Sequence, residues 1–225
     1  MATMQATATR RDSNLSFNLI RVLSQPWLDR SIACIACVPL VYLAYYRYEH
    51  WHHGFPLIAL ALNVFILVAT MIVRRPPQRV TPNPWYWLLA FVATYWQLLV
   101  LSLLQKGRPL TADWLSDAMA AIGLLVFIWA RLSLGRNIGF VPAQRQLVDT
   151  GAYAYMRHPI YTAGLLTNLA FLLRAFSPLN ALLLLLGVFW FIPVKSLVEE
   201  DFLRKDPQYA AYMKKVRTRW IPFLI

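Results

Sequence analysis

Charged side chains are scarce in this chain of 225 residues, of which 14% are charged and 59% are apolar. A soluble domain averages about 25% charged residues, so these charges could not coat a core of this size. The scarcity excludes a water-soluble globule, and the high hydrophobicity excludes a disordered chain. Cysteine is scarce as well. Cys34 and Cys37 stand in an apolar run without a second pair, and we interpret both as small buried residues rather than a redox or metal site.

The sequence also lacks the fingerprints of soluble nucleotide-binding and hydrolytic enzymes. Its eight glycines form neither the Rossmann nor the P-loop spacing, and no nucleophile-elbow or zinc-protease motif occurs. The His-rich stretch 49–53 cannot converge on one ion from adjacent positions of a short loop, so we interpret it as an interfacial loop and predict no metal. We also expect no removable signal peptide, because the N-terminus lacks the charged and apolar regions of one.

Long apolar runs are what the chain does contain. Four of them are long enough to cross a bilayer as helices, and they cover residues 31–46, 55–73, 85–104 and 114–134. Two shorter runs, 160–173 and 179–194, are separated by five residues that include Pro178, which is typical of a helical hairpin. The predicted fold is therefore all-α: a polytopic membrane helical bundle of about four spanning helices, a C-terminal hairpin and a cytoplasmic C-terminal segment. Whether the hairpin reaches the far face stays open.

The net charge of +12 could indicate nucleic-acid binding, but with this hydropathy it favours basic loops on one side of a membrane. With the predicted spans, 17 basic residues fall on the side of the termini and 4 on the other. The positive-inside rule then places both termini in the cytoplasm, and we predict no nucleic-acid partner. The predicted divisions are a cytoplasmic N-terminal segment with an interfacial helix (1–30), four transmembrane helices (31–134) and a C-terminal functional region (135–225).

Two polar segments, 135–158 and 199–219, lie on the predicted cytoplasmic side and border the hairpin. The chain enters the hairpin through Arg157 and His158, where a helix N-terminus offers unpaired backbone N–H groups. It leaves past Lys195 and three acids that begin at Glu199. One interpretation is a Lys195–Glu199 pair followed by a solvated tail. The other is a pocket whose acid binds ribose hydroxyls or a cationic ligand.

These segments resemble the signature of isoprenylcysteine carboxyl methyltransferases and related phospholipid methyltransferases. The resemblance covers about residues 134–225. The residues that carry it are Leu147, Val148, Gly151, Tyr153, Arg157, His158, Pro159, Tyr161 and Gly164, followed by Glu199, Glu200, Tyr209, Tyr212, Val216, Ile221 and Pro222.

The resemblance implies an integral membrane methyltransferase that uses S-adenosylmethionine without a Rossmann domain. The implied cofactor-binding residues are Arg145, Gln146, Leu147, Val148, Tyr153, His158, Pro159, Ile160, Tyr161, Glu199 and Glu200, and the implied catalytic residues are Lys195 and Arg157. A His is frequent in the family at the positions of Arg145 and Gln146. Lys195 stands where prenylcysteine enzymes carry an Arg that faces the substrate, and a lysine offers a point charge instead of a fork. Lys195 could therefore orient a carboxylate or phosphate, or act as a base.

The function predicted in this way is methyl transfer to a polar O, N or S group of a lipophilic small-molecule or lipid acceptor, most like isoprenylcysteine carboxyl O-methylation. The expected partners are that acceptor and membrane lipid. Two alternatives stay open: an NADPH-dependent membrane reductase of the sterol-reductase type, and a non-enzymatic membrane scaffold or transporter. A transporter would need polar groups at mid-membrane depth, whereas the second and third runs carry no ionisable residue.

Overall fold

The computed structural model describes residues 25–50, 54–81, 83–103, 107–139 and 143–221. The predicted interfacial helix before residue 25 and the histidines at 52 and 53 lie outside these ranges. Cys37 is buried, as predicted, but Cys34 is exposed, so that prediction is wrong for Cys34. The first helix presents apolar side chains such as Ile35 on its outer face, 70% exposed, so an apolar neighbourhood did not imply burial.

Four helices occupy the four long apolar runs. They are α1 (Pro26–His50), α2 (Gly54–Ile72), α3 (Pro84–Leu103) and α4 (Asp113–Leu134). The bounds of α4 nearly coincide with the predicted run. An acid in its first turn, Asp113, and a base in its last turn, Arg131, both suit the helix dipole.

The predicted hairpin begins with α5 (Pro159–Arg174) and returns through α6 (Pro178–Leu186), a π-helical turn (Gly187–Phe191) and α7 (Ile192–Leu203). Both arms begin with proline in the first turn, where its missing N–H costs nothing. The returning arm extends well beyond the apolar run that ends at residue 194. Lys195 and Glu199 therefore lie one turn apart on a single helix. A last helix, α8 (Pro207–Lys215), begins after Asp206, whose side chain accepts from the Gln208 N–H.

Small residues hold α4 against α5. Gly123 faces α5 so closely that a Cβ there would lie 2.9 Å from Thr167 Oγ1. Ala120 and Ala170 are both fully buried, and Ser116 Oγ donates to the Ala170 carbonyl at 3.0 Å. Helices with small residues at their contact can bring their backbones close together. The pairing of the start of α4 with the end of α5 makes the two helices antiparallel.

The turn of the hairpin is bound to the segment that precedes α4. Arg108 and Phe176 exchange backbone hydrogen bonds of 3.0 and 2.8 Å. Arg174 forms ion pairs with Asp113 at 3.2 Å and with Asp117 at 2.6 Å. These contacts place the tip of the hairpin level with the start of α4, so the entry of α5 lies near the other end of α4.

One short pair of strands was not predicted. β1 (Arg79–Val80) is antiparallel to β2 (Ala143–Gln144). Two residues are too few to produce a period-2 pattern in the sequence. The pairing joins the α2–α3 connection to the segment that leads into α5.

Two helices of the described ranges are long and apolar enough to cross a bilayer: Asp113–Leu134 and the continuous helix Pro178–Leu203. Shorter apolar stretches occur at Arg30–Tyr46, Ile58–Ile72 and Pro84–Ala93. The outer surface is apolar, with Leu132, Phe189 and Phe65 77%, 73% and 70% exposed. Soluble monomers seldom expose large apolar patches, and such faces suit contact with lipid. The four-span topology stays a prediction.

Candidate functional site

A cavity of about 880 Å³ lies where the two polar segments meet the helices. Its walls come from the β2–α5 connection, the entry of α5, α7 and α8, together with the inner faces of α1, α2 and α4. The volume is in the upper part of the ~300–1,000 Å³ range of small-molecule sites. Along α2 the lining runs from Leu60 to Met71, about 16 Å at the rise of an α-helix. The cavity is therefore deep, and one part of it is walled by apolar helices.

Most of the predicted site residues line this cavity. They are Arg145, Gln146, Leu147, Val148, Tyr153, Arg157, His158, Ile160, Tyr161, Lys195 and Glu199. Pro159 and Glu200 do not line it. Pro159 is fully buried in the first turn of α5, and the Glu200 carboxylate is surrounded by basic side chains behind the wall. Arg145 and Glu199, 54 positions apart in the sequence, thus border one space.

The α5 and α7 walls meet through Tyr161 and Glu199. The Tyr161 hydroxyl donates to Glu199 Oε2 at 2.9 Å. Lys195 Nζ lies 5.6 Å from the centroid of the Tyr161 ring, a cation–π distance. An acid, a base and a phenol ring therefore border the cavity together. This small polar cluster can accept hydrogen bonds from hydroxyl groups or oppose a positive charge.

Glu200 forms the centre of a buried ionic network. Arg157 Nε donates to Glu200 Oε1 at 2.7 Å, and His158 Nε2 lies 3.0 Å from the same oxygen. Arg219 Nε reaches Glu200 Oε2 at 3.2 Å. Glu200 is 3% exposed, so the solvated-tail interpretation is wrong for this acid. Burial of a carboxylate is tolerated here because several donors satisfy its oxygens.

The C-terminal segment is bound along the entry of α5. The Arg157 N–H donates to the Thr218 carbonyl at 3.0 Å, and the His158 N–H donates to the Arg219 carbonyl at 2.8 Å. The guanidinium of Arg157 also donates to the carbonyl of Val216 at 2.9 Å. The backbone N–H groups of Arg157 and His158, just before α5, are therefore paired with the C-terminal segment. No local pattern in the sequence predicts that residues 216–219 return to the entry of α5.

Aromatic side chains form another part of the wall. Tyr153, Tyr209 and Tyr212 all line the cavity, and the Tyr212 hydroxyl donates to the Tyr153 carbonyl at 2.8 Å. Burial raises the pKa of Tyr153 and of Tyr209 well above the ordinary value of tyrosine. Both phenols are therefore neutral at physiological pH. Flat neutral rings of this kind suit the heteroaromatic part of a nucleoside.

The segment before α5 is fixed by contacts on both sides. Gln144 donates to the carboxylate of Asp206 at the start of α8, and Arg145 Nε donates to the Arg75 carbonyl at 3.1 Å. Gly151 has a φ of +60°, which favours glycine, and Ser133 fills the space where a Cβ would lie. The residues 145–148 are thereby held at the mouth of the cavity.

Sequence reasoning missed the cavity residues on α1, α2 and α4 and some of those on α5. Asn63 on α2, Asn168 on α5 and above all Arg131 on α4 line the cavity. The one available signal in the sequence is Arg131, a basic residue near the end of the apolar run 114–134. An ionisable residue within an apolar run indicates a functional site by default.

Residues 111–210 match the family model of phospholipid methyltransferase. The match covers 100 of the 225 residues. The predicted resemblance is thus confirmed, and the match supports a membrane methyltransferase. No curated protein matches the chain. The matched region spans α4 to the first four residues of α8 and supplies most of the cavity wall. The helices α1 and α2, which also contribute to the wall, lie before it.

Proposed function

We propose that this chain is an integral membrane methyltransferase that transfers the methyl group of S-adenosylmethionine to a polar O, N or S atom of a lipophilic acceptor. The observation that supports this most is one cavity with two kinds of wall. The polar wall of Tyr161, Lys195 and Glu199 comes from the family region, and the apolar wall of Leu60 and Val64 comes from α2. A polar cofactor and a lipophilic acceptor could meet in such a space.

The residues present fit S-adenosylmethionine by their chemistry. Glu199 offers carboxylate oxygens to ribose hydroxyls or to the positive charges of the cofactor, and Tyr161 orients that carboxylate. Tyr153 and Tyr209 offer neutral ring faces to an adenine. Residues 145–148 add a guanidinium, an amide and two aliphatic side chains at the mouth. We assign cofactor binding to these residues.

When bound, S-adenosylmethionine supplies an electrophilic methyl group on a sulfonium centre. The chain's own contribution is alignment in a water-poor site, which can lower a barrier by ~7–11 kcal/mol. Lys195 is 5.6 Å from the Tyr161 ring and lines the same wall, so its ammonium can orient an acceptor oxyanion. After deprotonation the Lys195 amine can instead accept a proton from an acceptor N–H or O–H.

We assign Arg157, Glu200 and Pro159 to positioning rather than to contact with the reacting atoms. Arg157 donates to Glu200 and to the C-terminal segment, and Pro159 is fully buried. Together with His158 they fix the entry of α5, on which Tyr161 stands. We also propose a multi-pass topology with both termini in the cytoplasm. The mouth of the cavity would then face the cytoplasm, from which S-adenosylmethionine enters.

Binding of S-adenosylhomocysteine tests the proposal directly. Purified protein in neutral lipid nanodiscs should bind it in calorimetry, and NADPH under the same conditions should not bind. Labelled S-adenosylmethionine should then transfer radioactivity into an organic extract of host membranes. Binding of NADPH in place of S-adenosylhomocysteine would support the reductase alternative. Binding of neither nucleotide would refute an enzyme of either kind.

A further inference from the structure

Arg131 is a buried cation on the cavity wall. It is 4% exposed, lies in the last turns of α4 and lines the cavity. Its Nη2 atom donates to Thr70 Oγ1 at 2.5 Å and is 3.5 Å from the Leu67 carbonyl, both on α2. The guanidinium carbon lies 5.3 Å from the centroid of the Phe127 ring. All three contacts are with neutral groups.

The charge of Arg131 is therefore not compensated by the protein around it. Within the described ranges, no carboxylate forms an ion pair with Arg131, and its Nε atom is buried without a hydrogen-bond partner. An unpaired guanidinium in a low-dielectric surrounding is costly, and buried charges are ordinarily paired. A planar donor group with a free N–H is well suited to a carboxylate or phosphate. An oxyanion is the kind of group that satisfies such a guanidinium.

The surroundings of Arg131 indicate what carries that oxyanion. The same cavity is lined by apolar side chains of α1 and α2, namely Leu40, Leu60, Val64, Leu67 and Met71, and the Leu67 carbonyl contacts Arg131. Asn63 on α2 and Asn137 after α4 also line it, and each has a buried amide oxygen without a donor among the described residues. The cavity thus offers to a ligand the buried Arg131 guanidinium, two acceptor oxygens that are unpaired in the described part of the chain, and an apolar wall.

We propose that Arg131 binds an oxyanion, a carboxylate or a phosphate, of the lipophilic methyl acceptor, whose apolar part lies along α1 and α2. This inference rests on the proposed function, because it identifies the acceptor class of the same cavity. It makes Arg131 a specificity-determining residue. Asn63 and Asn137 then accept hydrogen bonds from hydroxyl or N–H groups of the acceptor.

Amphiphiles with a common twelve-carbon chain test the inference. Dodecanoate, dodecyl phosphate and dodecyltrimethylammonium would be titrated into protein in phosphatidylcholine nanodiscs and followed by calorimetry. At least one anion should bind roughly tenfold or more tightly than the cation, as expected for a charge-assisted contact. Comparison of dodecanoate with dodecyl phosphate shows which oxyanion the site takes. Equal affinity for anions and the cation would overturn the inference.

Variants of Arg131 distinguish ligand binding from packing. Arg131→Gln should lose roughly tenfold or more in anion affinity, and Arg131→Lys, which keeps the charge, should recover it to within about fivefold. Thr70→Val removes the packing partner of Arg131 but no cavity-lining group, so anion affinity should change by less than about threefold. Arg204→Gln, at a 64% exposed side chain, is the matched surface control. If Thr70→Val lost as much anion affinity as Arg131→Gln, the role of Arg131 would be helix packing and not anion binding.

S-adenosylhomocysteine binding, measured on the same samples, separates this inference from the proposed function. It should be the same in Arg131→Gln as in the unaltered protein, because cofactor binding is assigned to Tyr153, Tyr161, Tyr209, Glu199 and residues 145–148 and not to Arg131. A loss of S-adenosylhomocysteine affinity in Arg131→Gln would mean that Arg131 binds the cofactor carboxylate, and the inference would be wrong. If the unaltered protein binds the anions but not S-adenosylhomocysteine, the proposed function fails while the oxyanion site stands.

Discussion

Glu199, Glu200 and Asp201 are consecutive acids on α7, yet their carboxylates meet three different environments. Glu199 borders the cavity and accepts from Tyr161, whereas Glu200 is buried among basic side chains. Asp201 is partly exposed, accepts from the Tyr86 hydroxyl at 2.9 Å and pairs with an exposed arginine. Changing each acid to its amide removes the charge and keeps the size. We therefore expect three different results from three neighbouring substitutions.

Glu200→Gln should destabilise the fold most. The Glu200 and Arg157 side chains are 4% and 7% exposed, and removal of one partner of such a buried pair costs about 3–5 kcal/mol. At about 2–4 °C per kcal/mol for a chain of this size, the midpoint of thermal unfolding should fall by roughly 6 °C or more. The intrinsic fluorescence of the nine tryptophans provides the measurement in detergent.

Glu199→Gln should instead weaken S-adenosylhomocysteine binding. The loss of one charge-assisted hydrogen bond is worth about 1.5–3 kcal/mol, or roughly tenfold to a hundredfold in affinity. Its unfolding midpoint should stay close to that of the unaltered protein, because Tyr161 can still donate to an amide oxygen.

Asp201→Asn is the matched control for both substitutions. Its carboxylate is 32% exposed, and a surface ion pair contributes about 0–1 kcal/mol, so both readouts should change little. If the unfolding midpoint of Glu200→Gln lies within about 2 °C of that of the unaltered protein, the buried network does not stabilise the fold by the expected amount. If the unfolding midpoint of Asp201→Asn falls as far as that of Glu200→Gln, any loss of charge on α7 destabilises the fold, and the effect is not specific to the buried network.

Three further substitutions test the surrounding structure by the same unfolding measurement. Gly151→Ala should cost about 1–3 kcal/mol, because its φ is positive and Ser133 occupies the Cβ position; an unchanged midpoint would exclude this turn geometry. Gly123→Leu should cost about 1–3 kcal/mol or more by forcing α4 and α5 apart, and a stabilised variant would contradict their close contact. Asp117→Asn should cost about 1 kcal/mol, since its pair with Arg174 is partly exposed, and the additional change Arg174→Gln should then have little further effect.

The helical elements could be predicted well because their signals are local. An apolar run of about 20 residues, a proline at each hairpin arm and an ordered motif are all visible in consecutive residues. The returning arm was predicted too short because the apolar run ends near residue 194, whereas α7 continues to Leu203. The last turns of α7 carry Glu199, Glu200 and Asp201, and each of these acids has a partner in the tertiary structure, so the helix continues past the apolar run. The two-residue strands were too short to give any pattern.

Most of the predicted site residues line one cavity, but the contacts that each of them makes could not be predicted from the sequence. The sequence by itself determined which polar residues stand at the hairpin's entry and exit, since these follow from chain order and helix periodicity. Tertiary structure alone decided that Glu199 faces the cavity while Glu200 binds Arg157, because neighbouring helix positions point in different directions. It alone brought Arg131 to the cavity, through contacts with α2 some 60 residues away. Such contacts depend on how helices pack, which no local pattern records.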